Sequence, residues 1–129
     1  MSDNKVVVID RLEWMRGGGD NMLSCERMEG KVQRCCLGFH SIQIDGYTDK
    51  TMNEIGEPGN LPTVQVVDDE AVVMKSSLVE DGEYVTILNI PWAKTAMKIN
   101  DDGYLTEEER EEMLIKLSKD NGYDYRFIN

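Results

Sequence analysis

The middle of the chain constrains the fold most, because it holds three short segments with strand character. Residues 63–75, TVQVVDDEAVVMK, predict two strands joined by an acidic turn at residues 68–70. Asp81-Gly82 marks a further turn, and the alternating segment YVTIL at residues 84–88 predicts a third strand. Segments this close together in the sequence tend to pair with their neighbours. We therefore predict a three-stranded antiparallel meander.

The last part of the chain predicts two helices separated by a turn. Pro91 suits the first turn of a helix over residues 91–99, and the Asn-Asp-Asp-Gly segment at 100–103 ends that helix. Thr106 and Glu109 form an S/T-x-x-E capping box, so a final helix begins there. Three apolar residues make up its predicted buried stripe: Met113, Leu114 and Leu117.

The N-terminal segment, residues 5–16, supports two interpretations. The Val-Val-Val-Ile run at residues 6–9 favours a strand, because β-branched residues suit an extended backbone. Three apolar residues, however, recur at helical spacing: Val8, Leu12 and Met15. Arg16 followed by Gly17 is also typical of a helix end. We predict a helix.

Two elements between these segments complete the predicted fold. Residues 22–28 and 31–36 predict a hairpin around Glu29-Gly30, whose inner positions are Leu23, Cys25, Val32 and Cys35. Residues 37–44 are apolar on one face and form either a short helix or a strand. The length of 129 residues suits one domain, over residues 1–129. The predicted class is α+β: a small antiparallel sheet, made of the hairpin and the meander, packed by an N-terminal helix and two C-terminal helices.

The charge distribution predicts the kind of partner. The chain has 14 Lys and Arg against 25 Asp and Glu, a net charge of −11, and residues 1–50 carry only −1 of it. Such a field repels nucleic acid and anionic membranes and attracts a partner with a basic surface. The predicted contacts for a protein partner are the acidic residues of the later segments: Asp68, Asp69, Glu70, Asp101, Asp102, Glu107, Glu108 and Glu111.

The near-neutral first third supports an alternative, a site for a small anionic ligand such as a nucleotide. A glycine run follows Arg16, and glycine-rich loops can hold anions on their backbone amides. The run lacks the phosphate-binding motifs with defined spacing, and Asp20 would repel a phosphate group. The predicted ligand residues are basic: Arg11, Arg16, Arg27 and Arg34.

Catalytic and metal-binding motifs give no specific pattern. Cys36 and His40 would face each other only in a helix, and no third group to orient them can be named. Residues 98–109 partly fit a calcium loop, but Lys98 stands where the first carboxylate should be. We therefore interpret residues 100–109 as a turn that ends one helix and caps the next. We expect no metal, no cofactor and no catalytic residue.

The cysteines and the apolar runs predict the compartment. The three cysteines are an odd number and two are adjacent, which is a poor basis for disulfides and favours a reducing cytoplasm. No apolar run approaches the roughly 20 residues needed to cross a bilayer. We expect a cytoplasmic protein that does not enter membranes.

Several short motifs occur in a characteristic order: Trp14-Met15-Arg16-Gly17, Leu23-Ser24, Cys35-Cys36-Leu37-Gly38-Phe39 and Asn100-Asp101-Asp102-Gly103. In this order they resemble a group of small bacteriophage and prophage proteins. The likeness covers the first forty-odd residues and the last thirty, and the chain departs from the group over residues 63–88. It implies a phage setting and no particular chemistry. The predicted function is a non-enzymatic inhibitor or modulator of a host protein.

Overall fold

The computed structural model describes residues 4–17, 21–26, 30–56, 61, 64–67, 69–73, 77–78 and 91–129. Its strands are β1 (Lys5–Asp10), β2 (Cys25–Glu26), β3 (Val32–Gln33), β4 (Val64–Val67), β5 (Glu70–Val73) and β6 (Tyr123–Ile128). Its helices are α1 (Cys36–Asp45), α2 (Asp49–Met52), α3 (Pro91–Asp101) and α4 (Glu107–Asp120). Helices and strands are mixed, as predicted. None of the helices in these ranges combines the length and apolar character required to cross a bilayer.

The helix predicted over residues 5–16 is wrong, because residues 5–10 form β1. This strand pairs in parallel with β6, in a register that runs from Lys5 opposite Tyr123 to Asp10 opposite Ile128. Burial alternates along β1, with Val7 and Ile9 fully buried, which is the period of two expected of a strand. The β-branched run prevails because β6, which the sequence analysis missed, supplies hydrogen-bond partners more than a hundred residues away.

The other strand pairs are antiparallel hairpins. The predicted hairpin between residues 22 and 36 is confirmed as β2 and β3, with Cys25 opposite Gln33. The predicted pair over residues 63–75 is confirmed as β4 and β5, with Val64 opposite Val73. The third predicted strand, residues 84–88, lies outside the described residues. Each sheet of the described part therefore has two strands.

The helix α1 decides the open interpretation of residues 37–44. It begins at Cys36 and ends at Asp45, and the Gly46 that follows has a φ of 78°, the left-handed conformation that favours glycine at a helix end. Gly38 is required for a different reason. A Cβ added there would lie 1.8 Å from the carbonyl oxygen of Leu23, so the chain crosses α1 at a distance that excludes any side chain.

The core lies between the β1–β6 pair and three helices. α1 packs on β1, α4 packs on β6, and α3 packs against both α1 and α4. Large buried side chains from each of these elements form one cluster that includes Ile9, Leu37, Leu114 and Tyr125. The predicted stripe of α4 is right for Leu114 and Leu117, but Met113 is 44% exposed.

Candidate functional site

The acidic residues predicted at the start of the last helix lie around one end of α4. Thr106 caps α4 and accepts a hydrogen bond from Glu109 N, while the Glu109 carboxylate accepts from Thr106 N, so the predicted capping box is confirmed. Hydrogen bonds to the Glu109 carboxylate from the backbone and the side chain of Thr106 lower the pKa of Glu109. We call the acidic face the seven carboxylates at this end of the helix: Asp101, Asp102, Glu107, Glu108, Glu109, Glu111 and Glu112.

Two glutamates of the acidic face are paired with arginines from the first third of the chain. Arg16 Nε lies 2.7 Å from Glu107 Oε2. Arg11 donates through Nε and Nη2 to the two oxygens of Glu111, at 2.8 and 2.6 Å. Hydrogen bonding to Glu111 raises the pKa of Arg11. The residues of the two alternative sites predicted from the sequence therefore partly neutralise each other.

Other residues of the acidic face hold the turn between α3 and α4. Asp101 Oδ1 accepts hydrogen bonds from the side-chain amides of Asn21 and Asn100, at 2.8 and 3.0 Å. Asp102 Oδ1 accepts from the backbone N–H of Tyr104 at 2.8 Å. The interpretation of residues 100–109 as a turn between two helices is thus confirmed, since α3 ends at Asp101 and Thr106 caps α4.

A buried guanidinium binds the backbone of this turn. Arg110 is 3% exposed, and its Nη2 donates to the carbonyl oxygens of Asp102 and Leu105. Its Nη1 donates to Glu107 at 2.8 Å. In the part of the chain that the structure describes, no group of three or more His, Cys, Asp or Glu side chains could hold a metal ion.

The acidic face keeps a negative charge after these pairs are counted. Seven carboxylates face three guanidinium groups, those of Arg11, Arg16 and Arg110, which leaves a net charge of −4. Glu108 and Glu112 are exposed, and within the described residues no hydrogen bond or ion pair holds them. One helical turn separates them, so they share a side of α4.

A fully exposed aromatic side chain stands beside this charge. Tyr104 is 100% exposed in the turn that leads into α4. Its backbone is fixed by the bond from its N–H to Asp102, so the ring extends from an ordered turn. Tyr104 was not predicted from the sequence as a contact residue.

The remaining acidic residues predicted to contact a partner lie elsewhere. Asp69 and Glu70 are exposed at the turn of the β4–β5 hairpin, where Asp69 has a φ of 65°. Asp68 lies outside the described residues. The structure does not bring Asp69 or Glu70 into the ion pairs at α4.

Of the predicted ligand arginines, Arg34 is engaged in ion pairs and Arg27 lies outside the described residues. Arg34 binds both oxygens of Asp49 at 2.6 Å and Glu13 at 2.6 Å. These contacts raise the pKa of Arg34 and lower that of Asp49. Arg16 lies 4.5 Å from the ring centroid of Trp14 and borders a cavity of about 400 Å³, but Glu107 lines the same cavity. An anion would have to displace carboxylates from each of the three described arginines.

Three of the four motifs of the phage-protein resemblance meet at one buried side chain, Asn100, which belongs to the last of them. Its Oδ1 accepts from Trp14 Nε1 at 2.7 Å and from Cys36 N at 3.0 Å, and its Nδ2 donates to Met15 O at 3.0 Å. Asn100 thereby satisfies an N–H at the start of α1 that would otherwise lack a partner. These three motifs are explained by a structural connection between the segment that follows β1, the start of α1 and α3.

The one histidine lies in a buried hydrogen-bonded chain. His40 Nδ1 and Nε2 each lie 2.9 Å from a hydroxyl, those of Tyr125 and Ser77. The Ser77 hydroxyl donates its proton to Asp45 Oδ2, so the Ser77 oxygen must accept a hydrogen bond from the Nε2–H of His40. The other ring nitrogen, His40 Nδ1, then carries no proton and accepts a hydrogen bond from the Tyr125 hydroxyl. Burial, with a smaller effect of Lys5, lowers the pKa of His40 to about 3. This order of protons does not activate Ser77, because the nitrogen facing it already carries a proton.

The cysteines are buried or half-buried thiols. Cys35 and Cys36 are buried, and burial raises the pKa of Cys35 to about 12 and that of Cys36 well above its usual value. A thiol with a raised pKa is a poor nucleophile at neutral pH. His40 makes its two hydrogen bonds to Tyr125 and Ser77, so the Cys36–His40 pair considered from the sequence is not the arrangement found.

Comparisons of the chain with protein-family models, with curated proteins and with solved structures give no match.

Proposed function

We propose that this protein is a non-enzymatic binding protein whose acidic face docks on a basic surface of another protein. The observation that carries the proposal is the fully exposed Tyr104 in the turn before α4, together with Glu108 and Glu112 on a face with a net charge of −4. These two carboxylates are exposed, and among the described residues no hydrogen bond or ion pair holds them. A large exposed ring and unpaired charges contribute little to folding. Both contribute when a partner covers them.

The two kinds of side chain would have different roles in such a complex. Unpaired surface carboxylates attract a basic partner over a Debye length of about 8 Å at physiological salt, and they mainly raise the association rate. Tyrosine is among the residues that contribute most to binding energy when a partner's pocket encloses it. Tyr104 is therefore the proposed anchor, and Glu108 and Glu112 orient the partner around it.

The resemblance to phage proteins suggests where the partner is found. We propose a host protein in the bacterial cytoplasm with a basic surface, such as a defence protein or another nucleic-acid-binding protein. A row of carboxylates can imitate the phosphates that such a surface normally binds. The protein would then act as an inhibitor by occupying the nucleic-acid-binding surface.

The test compares two double variants with the same change in charge. Glu108→Lys with Glu112→Lys reverses two exposed carboxylates of the acidic face. Glu26→Lys with Glu54→Lys reverses two exposed carboxylates near the β2–β3 hairpin and α2, and serves as the matched control. Each immobilised protein is incubated with bacterial lysate, and captured proteins are identified by mass spectrometry. Thermal unfolding confirms that both variants fold.

We expect wild type and the control variant to capture the same basic protein, which added salt releases. The variant at residues 108 and 112 should lose it, as should Tyr104→Ala. Equal capture by both double variants would refute the acidic face as the binding site. Capture of an acidic or uncharged partner that salt does not release would refute the electrostatic basis of the proposal.

A further inference from the structure

The two edges of β1 are used differently. Toward β6, Lys5 N donates to Gly122 O and Arg11 N to Ile128 O, which fixes the odd-numbered amides on that side. The amides of Val6 and Val8 therefore point to the opposite, outer edge, because successive residues of a strand alternate. Within the described ranges no strand pairs with that outer edge.

One side chain from α1 occupies the middle of the outer edge. Gln43 Oε1 accepts from Val8 N at 2.7 Å, and Gln43 Nε2 donates to Val8 O at 2.7 Å. A carboxamide has the donor and acceptor of a peptide group. Gln43 thus makes with Val8 the pair of hydrogen bonds that a residue of a neighbouring strand would make.

We infer that Gln43 is an edge cap, which prevents β1 from pairing with β1 of a second copy of this protein. An unpaired strand edge is a template for association with another chain, and proteins block such edges with side chains or charge. The outward side chains of Val6 and Val8 are 41% and 36% exposed, so they offer no steric barrier of their own. The protective elements here are the amide of Gln43 and the repulsion between copies that each carry −11.

The test removes the cap and measures the oligomeric state of the full chain. Gln43→Ala is compared with wild type by sedimentation velocity over a concentration series, at high salt so that repulsion between copies is screened. We expect self-association about tenfold stronger or more, because a second copy no longer has to displace two hydrogen bonds. The double variant Gln43→Ala with Val6→Lys should return to monomer, since a charge on the edge replaces the cap.

Two outcomes would overturn the inference. The first is a folded Gln43→Ala variant that remains as monomeric as wild type. The second is measured on wild type and does not depend on how the variant folds: hydrogen exchange at the amide of Val8 as fast as at the amide of Val6 would show that the cap does not form. Loss of the acidic-face interaction would affect neither measurement, so the two proposals fail separately.

Discussion

Lowering the pH from about 7 to about 5 is expected to destabilise this protein through one side chain, His40. His40 is buried between the hydroxyls of Tyr125 and Ser77, with the rings of Trp92 and Tyr123 against it. Burial lowers its pKa from 6.5 to about 3 in the folded state. The folded protein therefore keeps this histidine neutral where the unfolded chain protonates it.

The magnitude follows from the two pKa values. Stability from a group with a lowered pKa is fully present above its unfolded value and is lost as the pH falls toward the folded value. At pH 5 the unfolded histidine lies about 1.5 units below its pKa of about 6.5, so the free energy of unfolding should fall by about 2 kcal/mol relative to pH 7. Paired carboxylates contribute little to the change in the free energy of unfolding between pH 7 and pH 5, because their pKa values in the unfolded chain lie near 4.

Urea unfolding at the two pH values measures this difference directly. The chain has one histidine, so the same comparison with His40→Gln isolates its contribution: the variant should be less stable at both pH values but nearly independent of pH. NMR of the histidine ring in the wild type gives a second measurement, which should show no titration above about pH 5. A wild-type free energy that stays constant between the two pH values, or a ring that titrates near 6.5, would refute the reasoning.

Three further changes test contacts that hold the fold together, and each is measured by urea unfolding. Gly38→Ala places a Cβ against a backbone oxygen and should cost about 3 kcal/mol or more, whereas Gly56→Ala, with nothing within 4 Å, should change little. Asn100→Ala removes three buried hydrogen bonds and should also cost about 3 kcal/mol; a loss under about 1 kcal/mol would contradict the network. Thr106→Ala removes the cap of α4 and should cost about 1 kcal/mol, and an unchanged midpoint would show that the cap contributes nothing.

The elements predicted correctly are those whose signals are local. The capping box at Thr106 and Glu109 acts within one helical turn, so four residues suffice to place the start of α4. The β4–β5 hairpin is likewise specified by a run of strand residues around a short turn. Such signals need no information about distant parts of the chain.

The prediction failed for β1 because its structure depends on a distant partner. The sequence of residues 5–16 contains both a β-branched run and helical spacing, and local propensity could not decide between them. Pairing with β6 decides it, and β6 lies at the other end of the chain. The helical spacing of Leu12 had no structural meaning, since Leu12 is exposed beyond the end of β1.

The sequence could predict that acidic residues are concentrated in the candidate site. It could not predict which of them the fold pairs with arginines. Sequence shows the acidic residues near the start of α4, but the pairing of Arg11 with Glu111 spans 100 positions. This long-range contact neutralises Glu111, whereas within the described residues no ion pair holds Glu108. The role of Asn100 was missed for the same reason, because its partners Trp14 and Cys36 are far away in the sequence.

Site-specific photo-crosslinking tests the binding role of the acidic face most directly. A photoreactive phenylalanine analogue replaces Tyr104 in one sample and Ile128, an exposed apolar residue at the end of β6, in another. In bacterial lysate we expect a crosslinked basic protein from position 104, which added salt abolishes, and none from position 128. A partner that crosslinks from position 128 and not from position 104 would contradict the account.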